Sequence, residues 1–183
     1  MEAVEFYIID GQVRYRHDGS DKELVQADTE IISLVLDNVR RLFPDTYRRL
    51  SEMHSRSERN RRYYDFLRAE RFIRCNFGKF DKLTMDISNG TFHLEEVECP
   101  LRGICKDEGV ICRPVVKLNM TRAEQEVAEL YSRGCLPDEI AIRLRKSVST
   151  VKNQLNRITR RLRLKRTRDL IKLFSLYPLQ YIE

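Results

Sequence analysis

The sequence contains no apolar run near the about 18 residues that a membrane-spanning helix needs, and its first residues lack the basic-then-apolar order of a secretory signal. No membrane contact is expected, and the chain reads as cytoplasmic. Histidine is scarce, with His17, His54 and His93 the only three. There is no His-Glu-x-x-His helix, no Gly-x-Ser-x-Gly elbow and no glycine-rich loop to cradle a phosphate, so an enzyme is not expected. An acidic-pocket receiver pattern is missing too, because the first strand is followed by a second strand instead of a crossover helix. Five cysteines occur without a single Cys-x-x-Cys pair. In a cytoplasmic chain they point to thiols or metal ligands before disulfides.

What the sequence does hold is positive charge, unevenly placed. Residues 117–183 carry 15 Lys and Arg against 7 Asp and Glu, a net +8, whereas residues 1–116 carry 19 against 21, a net −2. A polyanion bound by the C-terminal part is the expectation, since neutralising phosphates releases counterions and drives non-specific affinity. At 183 residues the chain suits two modest domains, each with its own core. They are read here as 1–115 and 116–183.

The C-terminal part reads as a set of short helices. Thr121 followed by Glu124 is a capping box; Val127, Leu130 and Tyr131 then share one helical face until Gly134 supplies a left-handed stop. Pro137 suits a first helical position, Asp138 and Glu139 favour the positive end of a helix dipole, and Ile140, Ala141 and Leu144 form a second apolar stripe. Ser147 caps a third helix, about 148–161, with Val151, Leu155 and Ile158 inward and Lys152, Asn153, Asn156, Arg157 and Arg160 outward. Two short helices across a tight turn, the second polar on its outer face, match the helix-turn-helix that seats a recognition helix in the major groove. The bland alternative is a generic helical bundle with a solvated basic face. The coincidence of caps, Gly134 and polar outer face argues against it.

The segments M-T-R-A-E-Q-E-V at 120–127, R-G-C-L-P-D-E-I-A-I-R-L at 133–144, S-V-S-T-V-K-N-Q-L-N-R-I at 147–158 and R-L-R-L-K-R-T-R-D-L-I from 161 cover roughly the last third of the chain. Over them the sequence resembles the LuxR-type (GerE-like) helix-turn-helix family of bacterial transcription regulators. The resemblance implies that Lys152, Asn153 and Asn156 reach base edges and phosphates of double-stranded DNA, with Thr150 and Gln154 nearer the backbone. It also implies that a fourth helix, about 167–174, supplies the contact of a homodimer. With Ser147 as cap, and with Arg157, Arg160, Arg161 and Lys165 neutralising phosphates, the expected function is a sequence-specific regulator, with RNA polymerase as a further partner. Three positions depart from the family pattern: Lys146 stands where an apolar residue is usual, Gln154 where His is frequent and Arg163 where Gly is frequent. Two rival readings stay open. A sigma-factor helix-turn-helix shares Glu139-Ile140-Ala141 and Thr150-Val151-Lys152, though the fourth helix and the lack of a promoter-melting domain tilt against it. An interaction protein of a mobile element would use the same helices for docking alone.

Upstream, Val4 to Ile9 and Val13 to Arg16 flank the turn signal Asp10-Gly11 and predict a hairpin. Residues 21–43 predict one helix, with Leu24, Ala27, Ile31, Leu34, Val35 and Val39 on its stripe and Pro44 ending it. Pro44 launches another helix with Tyr47 and Leu50 inward, and a polar, basic turn at 55–62 precedes a third. The run Arg56, Arg59, Arg61, Arg62, Arg68, Arg71 and Arg74 offers a second nucleic-acid or partner surface. The favoured reading is a solvated face paired with Glu58, Asp65 and Glu70.

Lys82 to Ile87 and Thr91 to Val97 alternate around Ser88-Asn89-Gly90 and predict a second hairpin. Cys99, Cys105 and Cys112 then fall in one short loop, with Cys75 ahead of the hairpin, a C-x23-C-x5-C-x6-C spacing. Four converging thiolates suit tetrahedral zinc or an iron–sulfur cluster; the lack of a Cys-x-x-Cys pair weakens zinc, and Cys99-Pro100 with the wide spacing leaves a cluster open. His93 is a substitute ligand, and reduced cysteines that merely pack are the alternative. Cys135, in the helix-turn-helix, reads as structural. The short link Arg113 to Lys117 makes metal- or redox-responsive DNA binding a further expectation. The fold class expected overall is α+β: a mixed helix and hairpin N-terminal domain with a Cys-rich loop, then an all-α four-helix LuxR-type domain.

Overall fold

The computed structural model describes residues 3–78, 80, 84–88, 90–177 and 179–182. The chain divides into two compact units, Met1–Pro114 and Val115–Glu183. The protein is mixed α+β, with a five-stranded antiparallel sheet in the first unit and a two-stranded sheet in the second. Among the described residues no helix is long and apolar enough to cross a membrane.

The first unit begins as a meander. β1 (Ala3–Ile9) turns through Asp10 and Gly11 into β2 (Gln12–His17), which turns through Asp18 and Gly19 into β3 (Ser20–Glu23). Each turn places its Asp and Gly at positive φ, 50° and 75° in the first and 45° and 75° in the second. That pair of left-handed residues is what a type I′ hairpin turn requires. Three helices follow, α1 (Thr29–Leu42), α2 (Pro44–Met53) and α3 (Arg61–Asn76), with a single 3-10 turn at Ser55–Ser57. Pro44 opens α2, where its missing N–H is no loss, and Asn60 caps α3 by accepting the Tyr63 N–H at 3.3 Å. β4 (Ile87–Ser88) then pairs with β1 and β5 (Thr91–Phe92) with β4, giving the order β3-β2-β1-β4-β5.

Phenylalanines make the core of this unit. Phe6, Phe43, Phe72, Phe77 and Phe92 are fully buried, and their ring centroids lie 5.2–6.4 Å apart, the spacing of tilted and offset aromatic pairs. The sheet, the α1–α2 junction and α3 each contribute a ring, so one cluster binds both layers together.

The first helix and the second hairpin differ from the sequence-based expectation. α1 starts at Thr29, and residues 20–23 are the third strand of the meander instead of its first turn. Asp18-Gly19 repeats the Asp10-Gly11 turn and was the available signal; the helical spacing of Leu24 and Ala27 is a coincidence. Asp28 holds the strand-to-helix corner, accepting the Val25 N–H and the Tyr15 hydroxyl, each at 2.9 Å. The second hairpin is also shorter than its alternation suggests, since residues 93–97 join no strand. The Glu95 N–H instead donates to Asn76 O at the end of α3, at 2.9 Å. Lys82, Leu83 and Asn89 of that reading lie outside the described residues.

Three of the seven arginines of the run are paired within α3, Arg61 and Arg68 with Asp65 and Arg74 with Glu70. Arg68 is not solvated. It is buried with its guanidinium 4.1 Å from the Tyr64 ring and 4.8 Å from that of Tyr47.

The second unit opens on β6 (Val116–Asn119), runs through α4 (Arg122–Ser132), α5 (Pro137–Leu144), α6 (Val148–Arg161) and α7 (Asp169–Leu176), and closes on β7 (Leu179–Ile182), which pairs in parallel with β6. The strand pair corrects the all-α expectation. Val116 to Asn119 alternate buried and exposed, but four residues give too short a pattern to distinguish strand from linker. The capping box forms: Thr121 Oγ1 accepts the Glu124 N–H at 3.3 Å and Glu124 Oε2 accepts the Thr121 N–H at 3.1 Å.

Three of these helices end alike. Gly134 (φ 90°), Arg145 (φ 52°) and Arg163 (φ 52°) are left-handed. The next N–H closes back in each case, Cys135 to Leu130 O at 3.1 Å, Lys146 to Ala141 O at 2.9 Å and Leu164 to Thr159 O at 3.0 Å. This is the Schellman ending, which glycine adopts freely and an arginine only against its Cβ. Arg145→Gly is therefore expected to stabilise the second unit by about 0.5–1 kcal/mol. Thermal unfolding of the full chain checks this, and an unchanged or lowered midpoint contradicts it.

Candidate nucleic-acid interface and cysteine pocket

α5 and α6 are joined by Arg145, Lys146 and Ser147. Ser147 Oγ accepts the Thr150 N–H at 3.0 Å and lies 2.8 Å from the hydroxyls of Ser149 and Thr150, so the start of α6 is fixed by three short polar side chains. α6 buries Val151, Leu155, Ile158 and Thr159, one helical stripe, while α4 buries Val127 and Ala128 and α5 buries Ile140 and Ala141. The small Ala141 and Ala128 leave room for close helix approach.

The opposite stripe of α6 is solvent-facing. Asn153, Asn156, Arg157 and Arg160 follow the i, i+3, i+4, i+7 spacing of a single face, flanked by Lys152, and all five are exposed. Among the described residues none of these side chains, nor that of Lys165, takes part in a hydrogen bond or ion pair within the chain. Ser147 and Thr150 are exposed at the helix start but are spent on capping.

Arg161, expected from the sequence among the phosphate-neutralising residues, differs from the others in having internal partners: its guanidinium forks onto Glu124, Nη1 to Oε2 at 2.9 Å and Nη2 to Oε1 at 3.0 Å, and also donates to Asn119 O at 2.6 Å. Its charge is committed inside the unit. Glu124 is 2 % exposed. Burial alone would raise its carboxyl; the Arg161 fork and the Thr121 amide outweigh that and hold it below the usual range. Lys146 and Gln154 also act together, since Lys146 Nζ donates to Ala123 O at 3.2 Å and to Gln154 Oε1 at 3.4 Å.

In the first unit Cys75, Cys99, Cys105 and Cys112 line one cavity of about 90 Å³, together with Arg71 and Arg102 among others. All five cysteines of the chain are free thiols. Burial pushes the Cys75 thiol up to about 11; Arg71 opposes the rise, and Cys112, Cys99 and Cys105 add to it. Among the described residues no three His, Cys, Asp or Glu side chains form a ready-made metal site. His93 is not part of the cavity wall; its Nε2 lies 3.1 Å from Ser88 Oγ in the short hairpin. Cys135 sits in the other unit, half-buried between α4 and α5.

No family model, curated protein or solved structure matches this chain.

Because the folded Glu124 carboxyl is held below its unfolded value of about 4.3, the Arg161 fork contributes stability that is fully present above that pH. The contribution is lost as pH falls through the folded value. Arg161→Met is thus expected to destabilise the chain by about 1–3 kcal/mol at neutral pH by leaving a buried carboxylate uncompensated, with the difference from wild type narrowing toward pH 3. Denaturant unfolding at both pH values measures it, and an equal difference at both contradicts the assignment.

Proposed function

We propose that the second unit is a sequence-specific DNA-binding module of a transcription regulator, with α6 as its recognition helix. The observation that carries the reading is the stripe of Asn153, Asn156, Arg157 and Arg160 on α6. Two side-chain amides and two guanidinium groups stand outward without internal partners among the described residues, while the opposite stripe is fully packed. Asparagine pairs bidentately with adenine N6 and N7, and arginine with guanine or phosphate, so this face carries both base-reading and backbone-holding chemistry. Ser147 and Thr150 rigidify the helix start that enters the groove, and Lys152, Arg157, Arg160 and Lys165 supply the uncommitted positive charge. The net +8 of residues 117–183 supports the same reading. The resemblance to the LuxR-type family adds a second copy of the chain joined through α7, whose outward Ile171 and Leu176 are apolar. Such a dimer would read half-sites about one helical turn apart.

A duplex selected from a random pool, compared with its scrambled counterpart, tests the roles separately. Asn153→Ala is expected to cost about 1–3 kcal/mol on the selected duplex and little on the scrambled one. Arg160→Ala is expected to weaken both duplexes alike and to lower the salt slope by about 1. Equal losses on every duplex from both substitutions would contradict the assignment.

A further inference from the structure

We propose that the cavity lined by Cys75, Cys99, Cys105 and Cys112 is the site of a metal centre held by four thiolates, a zinc ion or an iron–sulfur cluster. The inference concerns the first unit and is independent of the DNA-binding reading.

The four cysteines come from the last turn of α3 and from one loop, and that loop is pinned on two sides. Asn76, adjacent to Cys75, donates its amide to Ile111 O at 2.9 Å, and its Oδ1 accepts the Arg113 N–H at 3.1 Å. From α2, Thr46 Oγ1 donates to Val110 O at 2.5 Å and Arg49 Nε to Asp107 Oδ1 at 2.7 Å. Within the loop the N–H groups of Arg102 and Cys105 close turns onto Cys99 O and Leu101 O. The cysteine positions are thereby set by a hydrogen-bonded framework, as a ligand loop requires.

Packing alone accounts poorly for this arrangement. Cysteines that serve as small apolar fillers are buried in contact with their neighbours. Here Cys99 is exposed, the other three are half-buried, and the four line an open volume of about 90 Å³ instead of filling it. The thiols line the cavity without forming a ready-made site among the described residues, so metal binding would draw them together.

Charge supports the same occupant. Asp107 is paired with Arg49, Glu108 with Arg102, and Arg74 with Glu70, which leaves Arg71 in the cavity wall without a carboxylate among the described residues. Its Nε is buried and has no hydrogen-bond partner. When four thiols bind a zinc ion, four S–metal bonds form, four protons leave to solvent, and the centre with its ligands carries two net negative charges. A four-iron cluster assembled from two ferrous ions, two ferric ions and four sulfides on the same four thiolates, again with four thiol protons released, also carries two net negative charges. Either supplies the counter-charge and the acceptor sulfur that Arg71 lacks. Bound, the centre would cross-link the loop to α3.

Elemental analysis and absorption spectroscopy of the full chain, purified anaerobically, test the proposal. The expected result is one centre per chain: zinc with a colourless spectrum, or iron with matching sulfide and a visible charge-transfer band. Cys99→Ser, at the exposed position, and Cys105→Ser are each expected to lower the metal content at least severalfold, whereas Cys135→Ser in the other unit leaves it unchanged. A metal-free chain that takes up neither zinc nor iron with sulfide under reducing conditions overturns the proposal. So does metal content that survives the Cys99→Ser and Cys105→Ser changes undiminished.

Discussion

The buried carboxylate of Glu124 is the constraint around which the second unit is arranged. It closes the capping box that starts α4, and both its oxygens face the guanidinium at the end of α6. Arg161 in turn reaches Asn119 O on β6, so β6, α4 and α6 meet at one ion pair. A fork of this kind has a fixed plane and two parallel hydrogen bonds, and it therefore sets orientation as well as proximity. Removing Arg161 leaves the Glu124 carboxylate in a site too dry to hold it uncompensated.

That single contact divides the basic residues of α6 into two groups. Arg161 is paired within the unit and serves the fold, whereas Lys152, Arg157 and Arg160 stay outward and uncommitted. Lys146 is likewise drawn in, its ammonium bridging Ala123 O and Gln154. The apolar stripe of Val151, Leu155 and Ile158 is what keeps the remaining face pointing away from the unit. The proposed function rests on this separation, because a surface that reads bases must be free of internal partners and still rigidly held.

Local chemistry was the legible part of the sequence. Thr121 with Glu124, Gly134, Pro137 and Ser147 each act within one helical turn, and the helices they delimit lie where those residues indicate. The Arg161–Glu124 pair joins positions 37 apart, and nothing in either neighbourhood announces the other. Short strands were hidden for a different reason: Ser20–Glu23 are all exposed and polar, and β6 and β7 offer four residues each, so neither burial nor period marks them. The left-handed Arg145 and Arg163 were illegible because only glycine or asparagine signals that conformation by its identity. In the first unit the gathering of Cys75 with the later three was expected from a hairpin folding back. The structure gathers them chiefly through Asn76 and the turns of the loop itself.

The central claim is that the outward stripe of α6 meets a double helix. Equilibrium binding of the unaltered chain to a selected duplex and to a scrambled one, followed across a range of salt concentrations, tests it most directly. The account predicts affinity that falls steeply with salt on both duplexes and favours the selected one by a factor on the order of 10³ or more at physiological salt. Indifference to sequence, or binding unaffected by salt, would contradict it.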